Sequence, residues 1–149
     1  AETWVELVLA ATARLYASAH ALPRAGLPER TADMRPSDLS RDEWRRVMEM
    51  IAGVLGDQRY YWACFDPSEP LGSQQEPGCG DLADDLADIY GDVKPGLLAW
   101  ETGKDEYLPR VVFDWGDVLF DSHWGVHAVD AMRALHPIAF LRGLADHNE

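Results

Sequence analysis

The sequence predicts an all-α fold, an antiparallel bundle of four to five helices with two long irregular loops at about residues 23–39 and 57–78. Three observations predict it. Apolar residues recur at three- and four-residue spacing along most of the chain. Two of the periodic segments open with a capping box, and prolines and glycines gather where the pattern stops. A length of 149 residues suits one domain, and 47 % hydrophobic residues, six of them Trp, are ample for a core.

The first helix is expected to start at Thr3, which with Glu6 forms a capping box. Trp4, Leu7, Val8, Ala11, Leu15 and Leu22 then make one apolar stripe, and Pro23 ends it. Ser40 and Glu43 repeat the device for a second helix, whose stripe is Trp44, Val47, Met48, Ile51 and Leu55, with Gly56 as the stop. Residues 57–78 begin with an aromatic cluster, Tyr60, Tyr61, Trp62 and Phe65, and run into a Gly/Ser/Gln/Pro stretch. A short strand there has no evident partner, so the cluster reads as an aromatic plug on the bundle.

A third helix is predicted from about Gly80 to Trp100, with Leu82, Leu86, Ile89, Tyr90, Val93, Leu97 and Trp100 on one face and a kink at Pro95. A fourth amphipathic pattern covers residues 105–121 through Leu108, Val111, Val112, Trp115 and Leu119. The apolar face then changes phase to Trp124, Ala128, Ala131, Leu135 and Ile138. This implies a break near residues 120–123, Ser122 as N-cap, and a last helix that Pro137 interrupts after His136.

Charge narrows the function. With 26 acidic against 13 basic residues and a net charge of −13, the surface repels phosphate backbones and anionic lipid heads. Nucleic-acid and membrane binding are disfavoured; a protein partner or a small ligand is expected. No apolar stretch approaches the roughly 20 residues of a bilayer span, and no export signal is visible, so the expected location is cytoplasmic. Two cysteines, Cys64 and Cys79, are too few for a disulfide framework and match no zinc spacing.

Two constellations can carry chemistry. In the acid run, Asp81, Asp85, Asp88 and Asp92 fall within an arc of roughly 60° beside the apolar stripe, with Asp84 nearby. Like charges at this spacing oppose a helix unless water, Arg or a metal offsets them. The ridge therefore reads as a solvated or Arg-paired flank, or as a site for a divalent cation. His123, His127 and Asp130 sit at i, i+4 and i+7, the spacing by which one helix offers two imidazoles to one ion. They are hydrogen-bonded structural residues or, with Asp85 and Asp88 from a neighbouring helix, a seam able to hold Mg, Mn or Zn.

Three stretches resemble a known family: Tyr61 to Pro67, Cys79 to Tyr90, and His123 to His136. They are similar to a bacterial family catalogued as domain of unknown function 5063, and the likeness runs from the first helix to His136. It implies a helical bacterial protein and assigns no reaction, ligand or partner. Where that family's pattern carries Arg or Lys after the Ile-Tyr pair, this chain has Gly91. The acid run also resembles half of the carboxylate set of all-α nucleotide pyrophosphohydrolases. His123 and His127 resemble the HxxxH of four-helix metal proteins of the DNA-damage-inducible type, with His20 as third ligand.

No complete catalytic set stands out. The sequence therefore favours a non-catalytic binding or adaptor domain, with Tyr60, Tyr61, Trp62, Phe65, Asp81, Asp84 and Asp92 as its contact surface. The alternative is a metal-binding bundle or metal-dependent hydrolase using Asp85, Asp88, His123, His127 and Asp130.

Overall fold

A computed structural model of the chain describes residues 3–24, 26, 36–63, 68–70 and 76–141. Helix α1 spans Trp4–Ala19, and its capping box is complete: Thr3 Oγ1 accepts the Glu6 N–H while a Glu6 carboxylate oxygen accepts the Thr3 N–H. Helix α2 covers Arg41–Leu55. Ser40 caps it through the Glu43 N–H at 3.2 Å, but the Glu43 carboxylate accepts from the Tyr90 hydroxyl instead of closing the box. Gly56, at φ 55°, then turns the chain through a short 3₁₀ turn, Gly56–Arg59.

The aromatic segment does not stand alone as a plug on the bundle. The aromatic segment is strand β1, Tyr60–Ala63, and its partner is strand β2, Gly78–Asp81, paired antiparallel with Tyr61 opposite Gly80. A Cβ on Gly80 would lie 2.3 Å from Cζ of Tyr61, so only glycine lets that ring cross the second strand. The partner went unseen because two of its four residues are glycines, which carry little strand propensity.

Helix α3, Leu82–Glu101, begins at Asp81, whose side chain accepts the Ala83 N–H, and it runs on through Pro95. Proline leaves the preceding turn short of a donor, and the Trp115 indole N–H bonds the Asp92 carbonyl at 3.2 Å in that region. The next segment is not one helix. A 3₁₀ turn, Asp105–Tyr107, leads into helix α4, Leu108–Phe113, a π-helical turn, Asp114–Val118, and helix α5, Leu119–Ser122. Such a turn shifts the apolar face within residues 105–121, which the sequence reads as one continuous pattern.

The break falls at His123 (φ −142°, ψ −90°) and not at Ser122, whose hydroxyl donates back to the Val118 carbonyl. Helix α6, Trp124–Phe140, follows directly and runs through Pro137 instead of stopping at His136. Gly125 permits the tight junction, since a Cβ there would sit 2.0 Å from the Phe120 carbonyl oxygen.

Helix α3 packs on α2 and α6, and α6 also on α1. Leu82, Ala83, Ile89, Trp124, Ala128, Ala131 and Leu135 are buried in one cluster with Ile51, Leu55 and Phe120. Small residues in that cluster (Ala83, Ala128 and Ala131) keep the α3–α6 spacing short. The fold is thus mostly helical, with a single two-stranded sheet among the described residues. No described helix is long and apolar enough to cross a membrane.

Candidate metal centre

Helical periodicity stacks Asp85, Asp88 and Asp92 along α3. Because α6 runs antiparallel to it, the lower residue of one meets the higher of the other. Asp85 Oδ1 lies 2.7 Å from His127 Nδ1, and Asp92 Oδ2 lies 2.7 Å from His123 Nδ1. Asp88 sits between the two pairs, its Oδ2 at 3.4 Å from His127 Nε2 and 3.9 Å from His123 Nε2. The two rings stand edge to face with centroids 4.8 Å apart.

Each remaining carboxylate oxygen that the hydrogen bonds reach has a fixed donor. Trp44 Nε1 donates to Asp88 Oδ1 at 2.8 Å, and the Tyr61 hydroxyl donates to Asp85 Oδ2 at 2.6 Å. Asp85 is only 6 % exposed, and a buried carboxylate needs such partners.

The partners also assign the protons. A carboxylate only accepts, so each Nδ1 carries hydrogen and, in the neutral ring, each Nε2 presents a lone pair. Hydrogen bonding to Asp85 raises the His127 pKa against the opposing effect of burial. Burial, reinforced by Asp85, pushes the Tyr61 phenol up and keeps it a donor. Asp92 is raised by burial despite its bond to His123. Asp84 and Asp130, flanking the cluster, are raised by burial first and then by neighbouring carboxylates.

One group of three side chains among the described residues has ligand atoms mutually within 4.8 Å: Asp88, His123 and His127. Imidazoles whose Nδ1–H is held by carboxylates, with Nε2 turned toward a shared point, match the outer shell of protein metal sites. The profile of the family described as Domain of unknown function (DUF5063) matches residues 1–140. The chain belongs to this family.

Among solved structures, the DUF5063 chain is similar to the crystal structure of protein BF1032 from Bacteroides fragilis. The two share 23 % sequence identity with a TM-score of 0.74, over 93 % of this chain and 77 % of the other. That likeness concerns the fold. Comparison with curated proteins returns no match.

The candidate residues of the sequence are distributed as follows. Asp88, His123 and His127 converge, whereas Asp85 backs His127 and does not face the shared point. Asp130 is outside the converging group. Of the proposed contact surface, Asp92 backs His123, Tyr61 is turned onto Asp85, and Asp81 is spent on the helix cap and on Arg59 at 3.0 Å. Asp84 stays half-buried beside the cluster.

Tyr60 and Trp62 remain exposed, beside a cavity of about 310 Å³ that Arg133 and Ile138 also line. Phe65 lies outside the described residues. His20 packs edge-on against Tyr16 and Phe120, far from ligand duty; the third converging group is Asp88. Trp44 was missed, because an indole on an apolar stripe looks like core until its N–H is seen on Asp88.

Proposed function

We propose that this protein binds one divalent transition-metal ion at Asp88 Oδ2, His123 Nε2 and His127 Nε2, leaving coordination positions open for water or a substrate. The observation that carries the reading is the convergence of Asp88, His123 and His127, with both Nδ1 atoms held by carboxylates on the far side of each ring. Acceptors facing one another repel unless a cation lies among them. A proton bridges one pair at most, and 3.9 Å from His123 to Asp88 is beyond a hydrogen bond. A metal ion held by all three side chains would offset that repulsion; a tetrahedral edge of about 3.3 Å compares with 3.4 Å between His127 and Asp88 and 3.9 Å between His123 and Asp88, so His123 would move inward on binding.

Two imidazoles and one carboxylate favour zinc or ferrous iron over magnesium, which prefers oxygen ligands and retained waters. Three protein ligands are the number found in catalytic sites, not in closed structural ones. An ion held there would lower the pKa of a bound water, the chemistry of a hydrolytic reaction class. The pyrophosphohydrolase likeness fits less well, since what the neighbouring helix brings to the converging group is two imidazoles. The adaptor reading has thinner support, because Tyr61 faces inward, leaving Tyr60 and Trp62 exposed among the described residues of the aromatic set.

Titration of protein prepared without a polyhistidine tag is expected to give about one Zn²⁺ or Co²⁺ per chain, lost in Asp88→Ala and in His127→Ala. Wild-type protein that takes up neither ion at micromolar concentration ends the reading.

A further inference from the structure

We infer that Tyr61 is a positioning residue of the metal centre, acting through Asp85 on His127, so that the two-stranded sheet is part of the site's construction. The inference rests on the metal reading above. Its geometry is a chain of two short hydrogen bonds. The Tyr61 hydroxyl donates to Asp85 Oδ2 at 2.6 Å, and His127 Nδ1 meets Asp85 Oδ1 at 2.7 Å. With each oxygen held from a different side, the 6 %-exposed carboxylate cannot swing, and the imidazole it holds cannot turn its Nε2 away.

The sheet in turn holds the phenol. Register places Tyr61 opposite Gly80, and the ring lies so close over that residue that a Cβ would collide with it at 2.3 Å. Burial and Asp85 both keep the hydroxyl protonated, so it stays a donor. The core packs Tyr61 through its ring. The hydroxyl adds nothing to that packing, and its bond to Asp85 is what the inference concerns.

Tyr61→Phe separates the two contributions, since it keeps the ring on Gly80 and removes the donor. Zn²⁺ affinity is expected to fall by up to about tenfold, the low end for loss of an outer-shell partner, because Tyr61 acts through Asp85 and not on the ligand itself. The visible Co²⁺ spectrum should shift as His127 loosens, with a moderate fall in the melting temperature of the metal-free protein from the donor lost at Asp85. Because Tyr61 acts through Asp85, adding Tyr61→Phe to Asp85→Asn should cost almost nothing further. Unchanged affinity and Co²⁺ spectrum in Tyr61→Phe, beside a wild type that binds, overturn this inference and leave the metal reading standing. Fully additive losses in the double variant overturn it as well, because Tyr61 would then act elsewhere. A wild type that binds no ion removes both. If Tyr61→Phe lowers the metal-free melting temperature strongly without touching the Co²⁺ spectrum, the hydroxyl is structural only and the inference fails.

Discussion

The two aspartate–histidine pairs that frame the site are chemically alike and built differently. His127 stands inside α6, its side chain 25 % exposed, and pairs with a carboxylate held also by Tyr61. His123 is 44 % exposed and sits at the break between α5 and α6, in a backbone conformation outside the helical region. Regular helix geometry positions one imidazole, and an interruption of the helix positions the other. The first pair is therefore coupled to the stability of the core. The second is coupled to the shape of a junction, and each can be disturbed with little effect on the other.

His127→Ala should have the largest effect on stability. It leaves Asp85 buried with Tyr61 as its remaining donor, and removing one partner of a buried charge costs about 2–4 kcal/mol. His123→Ala should cost about 1 kcal/mol or less, because Asp92, already raised by burial, sheds its charge more readily. Urea unfolding of both metal-free variants tests this, and equal losses would mean that the two pairs are energetically equivalent.

Gly125→Ala attacks the junction alone. Its methyl would meet the Phe120 carbonyl at 2.0 Å, so the start of α6 must shift. Overpacking of this kind costs about 1–3 kcal/mol. Metal affinity should fall even at temperatures where the variant is fully folded, because His123 moves relative to His127. Calorimetric titration of the folded variant checks this, and wild-type affinity would show that the junction does not set the site.

A smaller effect is expected for Trp44→Phe, which frees Asp88 Oδ1 from its donor at 2.8 Å. Zn²⁺ affinity should fall by about tenfold, the low end for loss of an outer-shell partner and roughly 1.4 kcal/mol. Retained one-to-one binding with an altered Co²⁺ spectrum is the expected result, and loss of all binding would make the indole a larger determinant than His123.

The mildest test uses pH. The folded His127 pKa is raised, chiefly by Asp85, with Asp88 and Asp84 acting in the same sense. Stability from this pair is thus complete below the unfolded value of about 6.5 and is lost as pH rises through the raised folded value. Metal must displace that proton, so its binding strengthens over the same interval. Melting curves should show the metal-free protein weakening from pH 6 upward while the Zn²⁺-induced shift grows. A metal-free protein that gains stability across that interval would contradict the assigned pairing.

Much of this arrangement was legible before any coordinates. The Thr3 and Ser40 caps, the aspartates in register on one face and the four-residue spacing of the histidines are all local patterns. Spacing could not tell which carboxylates turn toward the shared point. Asp85 and Asp88 share a face, yet one backs an imidazole and the other meets both Nε2 atoms. Nor did spacing exclude Asp130, which follows His127 by less than one turn but is outside the converging group. Strand β2 was hidden by its glycines, and Trp44 by its place in an apolar stripe.

By itself, then, the amino-acid sequence determined the four long helices, where two of them begin, and the faces on which the acids and histidines lie, because caps and periodicity act within a few residues. Only the tertiary structure decided that α3 and α6 lie antiparallel and close enough for Asp and His to meet, that the chain breaks at His123, and that Tyr61 and Trp44 reach the aspartates. Those outcomes depend on how faces far apart in the chain pack together, and on a junction and a close ring contact that only glycine permits.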